Sequence, residues 1–276
     1  MKRASTHPGI TPSDKQMKRI MNILLLLGVV AAAFFGGFAI TGAIGGIDAV
    51  NLPEDIRPDD INTEEGDEII DVPYIYQKHG FPNGCEPVSA VMILWHYGID
   101  IDVNEFVDGY LSMGPIPKVD GEGPDPSEIF CGDPREKSGW GCYAPVITDA
   151  LTKLLDGSGY TVEEHHGMTL QALCEEYIDE GIPVMVWATV DMIDSSGEKY
   201  LARWTTPEGK EIVYNRKLHC LVLVGYDEEN YYFNDSLKRG KDGSSYVVYP
   251  KEKTEKAYRL LDRQAIAISP PQNGDV

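Results

Sequence analysis

The rhythm of apolar and polar positions changes three times along the chain. From Ile20 to Ile47 (IMNILLLLGVVAAAFFGGFAITGAIGGI) no charged side chain occurs. That run exceeds the roughly 20 residues of helix needed to cross a hydrocarbon core. Residues 48–68 then turn acidic, contain proline and show no period, the pattern of a solvated linker. From Ile69 onward, short apolar segments separated by Gly, Pro, Asp and Asn predict a folded domain over residues 69–268. The last residues, 269–276, read as a frayed tail.

Within the domain, helical signals come first. Ile69 to Tyr76 is strand-like. Val88 to Tyr97 is apolar on nearly every side and is closed by Gly98, which predicts a buried helix. Asp102 with Glu105 three residues later forms a capping-box pattern opening a helix to about Leu111. Ala144 to Leu155 reads as a third helix. Thr169 caps a fourth that ends at Gly181. Strands follow over Pro183–Val190, more weakly over Tyr200–Tyr214, then over Leu218–Tyr226, Tyr231–Asp235 and Ser244–Tyr249. A charged helix from Lys251 to Asp262 precedes a last strand at Ala265–Ile268. Helices early and strands late predict an α+β fold rather than a doubly wound sheet. Between the second and third helices, residues 112–141 are rich in Gly, Pro, Asp and Ser. So long a loop in a compact domain points to function, here as the rim of a cleft.

Charge adds orientation. The formal net charge is −20 over 276 residues, which leaves no basic domain for nucleic acid. Residues 1–19 nonetheless carry five cations against Asp14 alone. A basic flank before an apolar run predicts a transmembrane anchor at 20–47, with a cytoplasmic N-terminus and the domain outside. A long cleaved signal is the alternative, and it also places the domain outside the membrane.

Five cysteines follow the apolar run: Cys85, Cys131, Cys142, Cys174 and Cys220. No CxxC or Cys/His zinc spacing is present, so neither metal nor cofactor is expected. An odd count leaves at least one thiol unpaired in the chain. Cys131 and Cys142 flank a turn-rich loop, leaving two readings open, a disulfide or two free thiols. Cys174 reads as core packing.

Cys85 stands apart. The Pro82-Asn83-Gly84 turn delivers it to the start of the buried helix, where the helix field favours a thiolate. Asn83 and Glu86 read as turn residues beside it. A nucleophilic sulfur needs a base, a group orienting that base, and donors for an oxyanion. His219 opens the most apolar strand, and the hairpin turn at 227–230 returns the chain so that Asp235 reaches it. Gln77, shortly before Cys85, offers an amide donor. His79 is near enough to border the cleft. His96 reads as packed within the helix, and His165-His166 lacks an evident third metal ligand. Trp95, Trp140, Trp187 and Trp204 read as core or rim aromatics.

These segments (YQ…PNGCEPVSAVMILWHYG, GIPVMVW, HCLVLVGYD and YYFND) resemble the C-thirty-nine-like cysteine peptidases. Those belong to the papain-like group and are relatives of the domain that trims double-glycine leaders from bacteriocin precursors. The resemblance runs from about Val72 to Pro250, and FCGDPREKSGWGCYAP at 130–145 resembles the bacterial branch. A histidine roughly 130–150 residues after the cysteine also fits papain-like enzymes. The resemblance implies a papain-like fold with the Cys85 helix on an antiparallel sheet. It also implies a peptide or protein substrate, Cys85 as nucleophile, His219 as base, Asp235 as orienting acid and Gln77 as oxyanion donor. The family usually has Asp-Pro where this chain has Asp235-Ser236, and its leader-trimming members are fused to transporters. A binding module without turnover, and a cell-wall amidase or acyltransferase on the same triad, are the rival readings.

Overall fold

The computed structural model describes residues 69–271 apart from residue 242. The apolar run at 20–47 and the basic and acidic segments beside it lie outside the described residues. Among the described residues, no helix is long and apolar enough to cross a membrane.

Helix α1 (Cys85–His96) is followed by α2 (Val103–Gly109) and by two short strands, β1 (Met113–Gly114) and β2 (Phe130–Cys131), paired in parallel. Next come α3 (Ala144–Leu154), β3 (Thr161–His166), α4 (Leu170–Glu176) and β4 (Val184–Thr189). Strands β5 (Leu201–Thr205) and β6 (Glu211–Asn215) form a separate hairpin. The chain closes with β7 (Leu218–Tyr226), β8 (Asn230–Asn234), β9 (Val247–Pro250), α5 (Lys251–Arg259) and β10 (Gln264–Ser269). Six strands make one sheet in the order β3-β10-β4-β7-β8-β9, each neighbour antiparallel.

The central strands are apolar throughout because both sheet faces are covered. Met185, Trp187, Cys220 and Val222 pack with α1, α2 and α3 on one face. Val184, Val186, Leu221 and Leu223 pack with α4 and α5 on the other. Ten residues of α1 are buried, from Cys85 to Leu94. The expected capping box holds α2: Asp102 accepts from the Glu105 N–H at 2.9 Å and donates its own N–H to Glu105 at 3.0 Å.

Several expectations are corrected. Ile69–Tyr76 is extended but is not a sheet strand. Its Ile70 N–H donates to Val224 O at 2.7 Å, and Pro73 has no N–H to extend a ladder. Strand β3, TVEEHH, has no counterpart in the sequence reading. It is a half-exposed edge strand whose charged residues hide the apolar signal. Helix α5 stops at Arg259, ahead of Asp262 and Arg263, both at positive φ. His96 is half-buried at the end of α1, with Nδ1 2.9 Å from Asp71 O, rather than packed in the core. Trp187 is core, Trp204 is buried in the β5–β6 hairpin, and Trp95 is 38% exposed. All five cysteines are free, which settles Cys131 and Cys142 as two buried thiols.

Candidate active site

The turn before α1 puts the sulfur in place. Gly84 is the N-cap, and a Cβ there would lie 2.8 Å from Phe81 Cβ and 3.2 Å from Pro134 Cβ. Only glycine fits, so the chain delivers Cys85 into the first turn at close quarters. The Cys85 thiol donates to Glu86 Oε2 at 3.2 Å. Burial pushes this thiol well above its ordinary pKa, and the neighbouring Glu86 pushes in the same direction. The helix field expected to favour thiolate is outweighed in the resting site.

His219 and Asp235 come together through the sheet register. Val222 pairs with Asn234, so Asp235 lies one step further along and on the same face as His219. His219 Nε2 is 2.8 Å from Asp235 Oδ1, and each residue is 1% exposed. A carboxylate at Nε2 fixes the proton there and leaves Nδ1 as the free nitrogen. Asp235 also accepts from the Leu237 N–H at 2.9 Å and the Tyr249 hydroxyl at 3.2 Å. Burial works to raise its pKa, but His219 and the Leu237 N–H outweigh burial and hold the carboxyl below the usual range.

Gln77 is buried and clamped at both ends. Its backbone N–H donates to Ser236 O at 3.0 Å, and its Oε1 accepts from the Ser236 hydroxyl. Its Nε2 donates to Pro82 O at 3.3 Å, a long bond that leaves one amide proton uncommitted. Ser236, where the sequence departs from Asp-Pro, thus orients the Gln77 amide.

Gln77, Cys85 and His219 line one open cleft of about 500 Å³, with Asp235 behind His219. Ile116 and residues 137–140 of the long loop line the cleft too, as expected of a rim. Trp140 and Tyr214 form an aromatic wall with ring centroids 5.4 Å apart. Lys137 and Arg216 supply positive charge, Arg216 lying 5.5 Å over the Trp140 ring.

The other candidates fall elsewhere. His79 is exposed and sits edge-on to Tyr76, outside the cleft lining. His165 and His166 are successive residues of β3. One bonds the Tyr177 hydroxyl at 2.7 Å, the other Glu164 at 2.7 Å. Glu86 is not a turn residue. It is the second residue of α1 and fully buried, with Oε1 accepting the Cys142 N–H at 2.9 Å. The signal that points to it is a lone carboxylate at the head of an otherwise apolar helix.

The fold has relatives among solved structures. A putative C39-like peptidase from Bacillus anthracis is 28% identical, with a TM-score of 0.65 over 74% of this chain and 98% of its own. The peptidase domain of Streptococcus ComA, a bi-functional ABC transporter involved in quorum sensing, is 15% identical. It covers 68% of this chain and 92% of its own, at a TM-score of 0.39. No curated protein matches the chain. The Peptidase_C39 like family matches residues 69–266, which is most of the chain and the whole of the six-stranded sheet but the second half of β10, and the chain belongs to that family.

Proposed function

We propose that the protein is a membrane-anchored cysteine peptidase whose domain lies outside the cytoplasm. Cys85 is the nucleophile, His219 the base, Asp235 the orienting acid and Gln77 the oxyanion donor. The buried His219–Asp235 pair, facing the same cleft as Cys85 and Gln77, is the observation that carries the reading.

His219 Nδ1 takes the proton of Cys85, and the thiolate attacks a peptide carbonyl. The Gln77 amide and the Cys85 backbone N–H stabilise the developing oxyanion. The imidazolium then gives its proton to the leaving amine, and water releases the acyl group from sulfur. Asp235 keeps the second ring proton on Nε2 and steadies the cation. The aromatic wall and the two cations that line the cleft suit an extended peptide with apolar and acidic side chains. Anchoring through residues 20–47 rests on their uncharged length and the basic flank before them.

The test is a thiol-directed acyl probe read by mass spectrometry. The reading expects one adduct on Cys85 in the wild type and none in Cys85→Ala. Unchanged labelling in the variant overturns it. A second reading, a binding module without turnover, draws on the thiol resting against Glu86. It expects peptide retention with no covalent adduct.

A further inference from the structure

The triad leaves Glu86 unused, although no other carboxyl group among the described residues is placed like it. Its side chain is fully buried. One oxygen, Oε2, meets the Cys85 sulfur at 3.2 Å, and the other accepts the Cys142 N–H at 2.9 Å. The loop is shaped around it. Gly141 has φ +118°, and a Cβ there would come within 2.4 Å of Glu86 Oε1. The titratable groups that feel Glu86 are Cys85 on its own helix, Cys131 and Cys142 in the loop, Tyr214 on β6, and His219 and Cys220 on β7. His219 is the one group among these that becomes a cation.

We infer that Glu86 is a further catalytic residue, a carboxylic acid that shares a proton with Cys85 and makes the reactive thiolate available in acid rather than in alkali. The inference rests on the assignment of Cys85 and His219 above. The hydrogen bond between Oε2 and Sγ has two forms, and the site as a whole holds one more proton in the second than in the first. In one, a thiol donates to a carboxylate. In the other, a carboxylic acid donates to a thiolate while His219 holds the thiol's former proton. The second form is the reactive one. When Glu86 loses its proton to solvent, a carboxylate and a thiolate would face each other in a buried pocket. The sulfur then takes its proton back from His219, leaving thiol, neutral imidazole and carboxylate. Burial lifts the Glu86 carboxyl to about 7, which places this change near neutrality.

The experiment is the rate of Cys85 alkylation by iodoacetamide against pH, on the full chain, read on the peptide that carries Cys85. Reading that peptide separates Cys85 from the other four thiols. The wild-type rate should fall by about tenfold as pH rises from 6 to 8, because the protonated fraction of one group falls about tenfold between one unit below and one unit above its midpoint. In Glu86→Gln, which keeps an acceptor for the Cys142 N–H, the rate should hold or rise. The same alkaline fall in both proteins overturns the inference. Infrared spectroscopy of the wild type provides a readout that does not depend on the variant folding. A carboxylic-acid band must be present at pH 6 and disappear in step with the alkylation rate. Its absence at pH 6 also overturns the inference. Alkylation needs no substrate, so peptide cleavage that survives in Cys85→Ala would defeat the peptidase assignment separately.

Discussion

Two carboxyl groups serve this cleft, one beside the sulfur and one behind the imidazole, and both are almost wholly buried. Burial pushes both towards the neutral form, yet they end on opposite sides of the ordinary value. Asp235 is held low and Glu86 is raised to about 7. The difference lies in what faces them. Asp235 has His219, which becomes a cation, together with the Leu237 N–H and the Tyr249 hydroxyl. Glu86 has two backbone N–H groups and a thiol, a weak donor, and it feels His219 without a hydrogen bond to it. A buried carboxyl is therefore read by its donors rather than by its depth. One corner is built to keep a charge and the other to keep a proton.

The largest break in that comparison comes from Asp235→Asn. The amide oxygen can still accept the Nε2 proton but carries no negative charge to steady an imidazolium, so turnover should fall by about 10³-fold with little change in KM. Steady-state peptide hydrolysis checks this, and a wild-type rate removes Asp235 from its role. Gln77→Ala should lower kcat by about 10²-fold through loss of one oxyanion donor. Ser236→Ala should cost roughly tenfold by freeing the Gln77 amide to turn, since small misplacements near a reacting centre are expensive. A larger loss in Ser236→Ala than in Gln77→Ala would contradict this order.

The two corners should also tilt stability in opposite directions with pH. The folded pKa of Glu86 lies above its unfolded value near 4.5. Its contribution is therefore fully present below about 4.5 and is lost as pH rises through about 7. The loss is on the order of 3 kcal/mol. Asp235 is lowered, so its contribution is present above the unfolded value and is lost as pH falls through the folded one. Denaturant unfolding at pH 5 and pH 8 should show Glu86→Gln narrowing the alkaline loss while leaving the acid side alone. An equal alkaline loss in both proteins would break the comparison.

The residues proposed as the triad could be picked out of the sequence because each sits at a punctuated place. Cys85 follows a Pro-Asn-Gly turn into an apolar helix, His219 lies at the start of an apolar strand, and Asp235 directly follows its hairpin partner. Most helices and strands were legible for the same reason, since period and stop signals are local. What is non-local stayed hidden. Strand β10 comes from the far end of the domain and inserts between β3 and β4, and no local pattern announces that neighbour. Strand β3 hides as a half-exposed edge in which Val162 is the one apolar residue. Glu86 sits next to Cys85 in sequence, but what gives it meaning is the Gly141-Cys142 loop folded over it. The role of Ser236 is similar, because Gln77 reaches it only through the tertiary fold.

The most direct measurement is cleavage of a proteome-derived peptide library by the full chain, wild type against Cys85→Ala, with new peptide termini identified by mass spectrometry. The account predicts a set of termini made by the wild type and missing from the variant. The same termini from both proteins, or none from either, would contradict it.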